Sequence, residues 1–307
     1  MTSRSPGGRL FGGLFGGNLL NSGVSGVHPE QHGERTLSGR AGATMDETEL
    51  DQWDPVVTRQ MESLAGPIAR WWFRSEVRGL ENIPGGGGAL VVANHSGGML
   101  TPDVLVFAPE FYRHFGYRRP LYTLAHYGVL LGPTGDFFRR LGVIHASREN
   151  AAAALQSGAV VLVFPGGDYD AYRPTAGANT IDFNGRAGYV RTALAAGVPI
   201  VPTVSIGAQE SQLFLTRGNW LAKRLGLPRF RLDILPVSIG VPFGLSVIVP
   251  PNLPLPTKIV TEVLPPVDIT ARFGPDPDVG DVDAHIRDVM QTALDRLAAQ
   301  RRFPILG

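Results

Sequence analysis

Short apolar runs alternate with amphipathic segments from residue 77 onward. The strongest runs end at Asn94, at Pro165 and at Gly207, and glycine or polar residues follow each of them. Between the runs, Ser147 stands where a helix N-cap is expected and Gly197 where a helix end is expected. Such alternation is typical of parallel strands covered by helices. We therefore predict an α/β fold with a mostly parallel central sheet flanked by helices.

The hydrophobic pattern divides the chain into four parts. Residues 1–45 contain eleven glycines and little periodicity, so we predict a disordered leader there. Residues 46–76 carry apolar side chains at helical spacing up to Trp71, which predicts an N-terminal amphipathic helix. Residues 77–270 form the predicted α/β domain. Residues 271–307 hold one long amphipathic helix, which we expect to pack on the same domain.

Composition limits the classes of function. Apolar residues make up 43% of the chain and charged residues 18%, which is enough for a large core. A net charge of +1 gives no electrostatic case for a nucleic-acid partner. The absence of cysteine excludes disulfides, thiolate catalysis and cysteine zinc sites. We also predict no metal site, because His126 and His145 have no neighbours at metal-ligand spacing.

The mean hydropathy of +0.04 leaves room for contact with a membrane. The most apolar stretch is residues 232–250, but Asp233 and several prolines interrupt it. We therefore predict short buried or interfacial pieces there rather than a membrane-spanning segment.

Polar side chains gather where three of the apolar runs stop, and sites in α/β sheets collect at the carboxyl ends of strands. After the first run, His95 is followed eight residues later by Asp103. An imidazole held by a carboxylate is a general base near neutral pH. Equally, His95 can simply follow the strand while Asp103 favours the start of a helix. The local pattern leaves both readings open.

The second of these strand ends carries a glycine pair. Gly166 and Gly167 allow backbone amides to approach a ligand closely, as in an anion nest or an oxyanion site. Asp168 and Asp170 follow in the same loop, and then Arg173. Arg173 can bind a phosphate or pair with either aspartate. Neither of the common nucleotide-binding fingerprints occurs in the chain.

Taken together, four stretches resemble the four ordered blocks of the glycerolipid acyltransferases, the lysophosphatidate-acyltransferase-like superfamily. They read NHSGGMLTPD, GVIHASREN, VFPGGDYDAYRP and RAGYVRTALAAGVPIVPTVSIGAQE, and they span roughly residues 76–250. The chain is most similar to the diacylglycerol-acyltransferase-like branch, which has Phe-Pro-Gly-Gly in the third block. The resemblance implies an enzyme that acylates a lipid hydroxyl.

The same resemblance implies roles for individual residues. His95 would be the general base, Asp103 would orient it, and the substrate oxygen would attack the thioester directly. Arg148 would contact a phosphate of the donor or the acceptor, while Arg186 and Pro202 would shape the pocket. The remaining candidates for substrate binding are Asn94, Ser96, Phe164, Pro165, Gly166, Gly167, Asp168 and Arg173.

Two features depart from the family pattern. Seven residues separate His95 from Asp103, where the family usually has four, so Asp168 is an alternative partner for the imidazole. Gly166 stands where many members have a glutamate associated with the head group of the acceptor. A neutral glycerolipid or another lipid alcohol is therefore as suitable an acceptor as lysophosphatidate.

We therefore expect an acyl-CoA-dependent O-acyltransferase that acts on a glycerolipid or related lipid alcohol. Its co-substrate would be a thioester of coenzyme A or acyl carrier protein, with no further cofactor. We expect a cytoplasmic protein associated peripherally with the inner face of a membrane. The alternatives are a catalytically degenerate acyl- or lipid-binding protein and a thioester or ester hydrolase.

Overall fold

The computed structural model describes residues 49–177, 179–230, 233–247 and 250–303. The predicted leader, residues 1–45, lies outside these residues. Ten strands are found within the described part of the chain. They are β1 (Glu76–Arg78), β2 (Ala89–Ala93), β3 (Leu121–Ala125), β4 (Val143–His145), β5 (Val160–Val163), β6 (Ile200–Ile206), β7 (Leu213–Thr216), β8 (Val237–Gly240), β9 (Gly244–Val247) and β10 (Val260–Val263).

Seven of these strands form the main sheet, in the order β1-β10-β6-β2-β5-β3-β4. The five strands β6, β2, β5, β3 and β4 are mutually parallel. Strand β10 runs antiparallel to β6, and β1 runs parallel to β10. The prediction of a mostly parallel sheet is confirmed. Because the five strands point the same way, the residues after β2, β5 and β6 meet at one edge.

Helices cover both faces of the main sheet. From residue 55 onward, the α-helices of the described residues are α1 (Pro55–Trp72), α2 (Pro102–Phe115), α3 (Gly132–Arg140), α4 (Arg148–Gln156), α5 (Gly167–Ala171), α6 (Gly188–Ala196), α7 (Asn219–Arg224), α8 (Ile269–Phe273) and α9 (Val279–Gln300). Alternate residues of β2 point to the helix layers on opposite faces of the sheet. Leu90 and Val92 pack with α4, α6 and α9, while Ala89, Val91 and Ala93 pack with α2. Both faces of β2 are therefore buried, which explains its unbroken apolar sequence.

Three element boundaries bear on the residues selected from the sequence. Residues 49 and 50 are helical, but the predicted helix is interrupted over residues 51–54, and its predicted start lies outside the described residues. Helix α1 begins at Pro55, where Asp54 caps it by accepting bonds from the amides of Val56 and Val57. Helix α6 begins at Gly188, so Arg186 lies in the preceding loop. Strand β6 continues for four residues beyond Pro202 and ends at Ile206, next to the predicted end of this apolar run at Gly207.

The last helix packs on the sheet beside α6, next to β6. The stretch 232–250 contains β8 and β9, which join β7 in a separate three-stranded antiparallel sheet. Among the helices of the described residues, none combines the length and the apolar character needed to cross a membrane.

Candidate active site

His95 follows β2 at the edge where β5 and β6 also end, and a tight turn brings Asp103 back to it. Gly97 and Gly98 have φ angles of +77° and +63°, and Thr101 is left-handed with φ +41°. A short 3-10 turn, Gly98–Leu100, takes up the length of the spacer, and α2 then begins at Pro102. Gly97 is needed there, because a Cβ would lie 2.5 Å from the Pro102 ring.

The imidazole of His95 is held by Asp103. Its Nδ1 lies 3.2 Å from Oδ2 of Asp103, and the same oxygen accepts the backbone amide of Ser96 at 2.6 Å. A carboxylate acceptor at Nδ1 favours the tautomer whose Nε2 can accept a proton. The ring of Phe164 stacks on the imidazole, with centroids 4.3 Å apart. The structure therefore brings together four of the residues selected from the sequence.

Asp168, the alternative partner of His95, points elsewhere. Its carboxylate is exposed and accepts a bond from the guanidinium of Arg186 at 3.1 Å. Arg186 also donates to the carbonyl oxygen of Gly166 at 2.9 Å. The orienting position beside the imidazole thus belongs to Asp103, while Arg186 and Asp168 form a charged pair at the exposed side of the glycine loop.

Asp170 was not selected as a site residue, but it fixes the backbone at the centre of the site. Its Oδ2 accepts the amide of His95 at 2.8 Å, and its Oδ1 pairs with Arg173 in a buried ion pair. Burial raises the pKa of Asp170 to about 6. Arg173 also donates to the carbonyl of Thr180. Of the roles open for Arg173, the structure shows pairing with Asp170 rather than an exposed phosphate site.

The structure explains why glycine occupies both position 166 and position 167. A Cβ at Gly166 would lie 2.5 Å from Cβ of Asp170, so the glycine makes room for that buried carboxylate. Gly167 has φ +50°, and its amide donates to the carbonyl of Phe164 at 3.0 Å. That amide is therefore used in the turn itself. A glutamate at position 166 is incompatible with this placement of Asp170.

Three further candidates are buried in the scaffold around the imidazole. The side chain of Asn94 donates to the carbonyl of Ser205 at 2.9 Å and accepts the amide of Ser205 at 2.8 Å. These bonds hold the end of β2 against β6. Pro202 lies within β6 opposite Val92, and Pro165 is buried directly after Phe164. Their surroundings indicate a supporting role.

Arg148 is separated from these residues. It begins α4 and is exposed, with Ser147 as the N-cap as predicted. This helix follows β4 at the far side of the main sheet, three strand spacings from β2. With about 4.8 Å between neighbouring strands, Arg148 lies roughly 14 Å along the edge from His95. That distance suits contact with a distal part of a long substrate.

A cavity of about 10 Å³ lies behind the carboxylate of Asp103, between it and Thr203. Oδ1 of Asp103 and the hydroxyl of Thr203 have no hydrogen-bond partner among the described residues. This volume is at the lower limit of what one water molecule needs. Thr203 could not be selected from the sequence, because its hydroxyl reaches the site from the middle of an apolar strand.

The chain is similar to several known proteins. A protein-family model described as Acyltransferase matches residues 74–206, which include His95, Asp103 and the glycine pair. An uncharacterised protein of Mycobacterium tuberculosis is 35% identical over 254 residues, covering 80% of this chain and 68% of the relative.

A Bos taurus protein is also similar, named "DGAT1/2-independent enzyme synthesizing storage lipids". It is 30% identical over 196 residues, which are 63% of this chain and 56% of the bovine protein. The chain therefore spans little more than half of that relative's length.

Among solved structures, the fold is similar to the 1-acyl-sn-glycerophosphate acyltransferase PlsC from Thermotoga maritima. The TM-score is 0.52 at 18% sequence identity, over 79% of this chain and 81% of the other. At that identity the similarity concerns the fold.

Proposed function

Since this chain belongs to the glycerolipid acyltransferase superfamily, we propose that it transfers a fatty acyl group from a thioester to a glycerolipid hydroxyl. The donor would be acyl-CoA or acyl carrier protein, and His95 would be the general base. The observation that carries the proposal is the 3.2 Å contact between His95 and Asp103. This contact shows that the seven-residue spacer between His95 and Asp103 does not keep the two side chains apart. The spacer is therefore no reason to expect a degenerate site.

In the proposed reaction, Nε2 of His95 takes the proton of the acceptor hydroxyl. The oxygen attacks the thioester carbonyl, a tetrahedral intermediate forms, and the carbon–sulfur bond then breaks. The imidazolium returns its proton to the leaving thiolate, so no acyl-enzyme is formed. Asp103 stabilises the imidazolium between these steps. Phe164 covers one face of the ring and keeps water from it.

Arg186 is the group we propose for the substrate's polar end. Its guanidinium is half exposed beside the glycine loop, where it pairs with Asp168. A cation in this place suits a phosphate of the donor or the polar head of the acceptor. Arg173 is inside the protein, so we assign it to positioning.

For the acceptor, we propose a neutral glycerolipid such as diacylglycerol. Gly166 supports this choice, because position 166 carries no side chain to recognise a charged head group. The name of the bovine relative, which refers to storage lipids, also supports it. Because such acceptors reside in bilayers, we propose a cytoplasmic protein bound peripherally to the inner face of a membrane.

The test is incubation with labelled acyl-CoA or acyl carrier protein thioester and a mixed pool of acceptor lipids. We expect a labelled neutral lipid that forms only when the acceptor is present. Release of labelled fatty acid without an acceptor would instead indicate a hydrolase. Tight binding of the thioester without turnover on any acceptor would indicate a binding protein.

A further inference from the structure

The three-stranded sheet β7-β8-β9 buries serine side chains of β8 and β9 and exposes apolar side chains on its other face. Ile239 of β8 stands directly opposite Leu245 of β9, and both are exposed. On the other face, Ser238 and Ser246 are buried and bonded to each other at 3.1 Å. Asn252 completes that inner network by donating to Ser246 at 3.0 Å.

This arrangement is the reverse of an ordinary half-exposed sheet, which buries its apolar face. The exposed apolar side chains continue into the turn between β8 and β9. We call them the apolar face, and its members are Leu215, Ile239, Val241, Phe243, Leu245 and Val247. A contiguous exposed patch of this kind marks an interaction surface.

The apolar face adjoins the His95 turn through β7. Phe214, on the inner side of β7, packs so closely on Gly98 that a Cβ there would lie 2.6 Å from its ring. Arg217, just after β7, donates to the carbonyl of Tyr169 in the glycine-loop helix at 2.8 Å. A partner bound on the apolar face would therefore lie beside the site, not behind the sheet.

Charge and aromatic residues next to the sheet indicate which partner this is. Helix α7 begins three residues after β7 and carries the exposed Trp220 with two exposed cations, Lys223 and Arg224. Neither cation forms a salt bridge with any residue in the described ranges. The sequence has no charged residue between Asp233 and Lys258.

Tryptophan and unpaired cations beside an uncharged apolar surface match the interface of a bilayer that contains anionic lipids. We propose that the apolar face docks on such a membrane and brings the His95 edge of the main sheet to its surface. The role of this docking, which is to bring the site to a lipid acceptor, rests on the proposed function. The docking itself is measured without acyl transfer.

The experiment measures co-sedimentation of the full chain with phosphatidylcholine vesicles, with and without phosphatidylglycerol. Ile239→Gln combined with Leu245→Gln should weaken binding at least about tenfold, because two inserted aliphatic side chains are lost. Both positions are exposed, so folding should survive, and thermal melting checks it. Lys223→Gln combined with Arg224→Gln should weaken binding only to the phosphatidylglycerol vesicles and only at low salt.

The matched control is Leu64→Gln on α1, where the leucine is 62% exposed compared with 67% for Leu245. We expect its vesicle binding to equal that of the wild type. Loss of binding in this control, with the Ile239/Leu245 variant unaffected, would overturn the proposal in favour of α1. A wild-type dimer that the Ile239/Leu245 variant dissociates, with unchanged vesicle binding, would overturn it in favour of self-association.

The two proposals fail in different ways. A wild-type chain that binds vesicles through the apolar face but transfers no acyl group contradicts only the proposed function. A wild-type chain that transfers acyl groups, and binds vesicles no better than the Ile239/Leu245 variant, contradicts only the docking. When both hold, that variant keeps its rate on a short-chain, water-soluble acceptor and loses it on vesicle-embedded lipid.

Discussion

Replacing Gly166 with alanine tests how the glycine loop supports His95, the proposed general base. The added Cβ would lie 2.5 Å from Cβ of Asp170 and 3.1 Å from its Oδ2. Carbon atoms normally pack no closer than about 3.5 Å, so the two must separate by about 1 Å. Oδ2 is the acceptor of the His95 amide, and the displacement therefore reaches His95 itself.

The magnitude follows from these contacts. Overpacking of a buried position costs about 1–3 kcal/mol, and a weakened hydrogen bond to the His95 amide adds about 1 kcal/mol. The expected loss is therefore about 2–4 kcal/mol of unfolding free energy, seen as a melting temperature lowered by about 5 °C or more. Misplacing the base by about 1 Å should lower kcat on the order of 100-fold.

Thermal melting and steady-state acyl transfer measure the two effects, with Gly188→Ala as the control. A Cβ at Gly188 meets nothing within 4 Å, so this change should leave stability and rate nearly unaltered. On an Asp170→Gly background the cost of Gly166→Ala should largely disappear, because the clashing atom is gone. If Gly166→Ala has the same melting temperature and the same kcat as Gly188→Ala, the inferred coupling between the glycine loop and Asp170 is refuted.

Three further predictions concern single residues. Asp103→Asn should lower kcat by about 100-fold or more with little change in KM, because the amide no longer selects the reactive tautomer; an unchanged kcat contradicts this. Asn94→Ala should cost about 2–4 kcal/mol in urea denaturation, because it leaves the buried amide and carbonyl of Ser205 unpaired; a loss below about 0.5 kcal/mol is incompatible with it. Burial raises the pKa of Glu62 to about 7, so the wild type should lose stability as the pH rises from about 4.5 through 7. Glu62→Gln should therefore gain up to about 3 kcal/mol over the wild type above about pH 8 and nothing below about pH 4, and equal gains at both values would refute the assignment.

The main sheet was predictable because the apolar runs that indicate its strands are local features of the sequence. An apolar run such as that of β2 reports burial on both faces, and helix caps such as Ser147 mark where the next element begins. Boundaries were predictable only where a cap is evident. Asp54 was not recognised as an N-cap within the predicted helix 46–76, so the interruption before α1 was missed.

The pairing of His95 with Asp103 could not be decided from local chemistry. It depends on the left-handed conformations of Gly97, Gly98 and Thr101, which turn a long spacer into a compact one. Spacing alone describes contour length, whereas the distance between two side chains depends on the backbone angles between them.

Asp170 escaped notice for a different reason, since its partner His95 lies 75 positions earlier in the chain. The one available sign was the glycine at position 166, where a side chain would collide with Asp170. The reversed β7-β8-β9 sheet was equally hidden. Alternation of Ile239 with Ser238 predicts a strand but does not say which face is buried.

The central claim is that His95 removes the proton from the acceptor hydroxyl. Its most direct test compares His95→Ala with His114→Ala, a change at an exposed histidine on α2, using labelled acyl-CoA and vesicle-embedded diacylglycerol. We predict that His114→Ala forms labelled lipid at the wild-type rate and that folded His95→Ala is slower by about 100-fold or more. Wild-type turnover by His95→Ala would contradict the account.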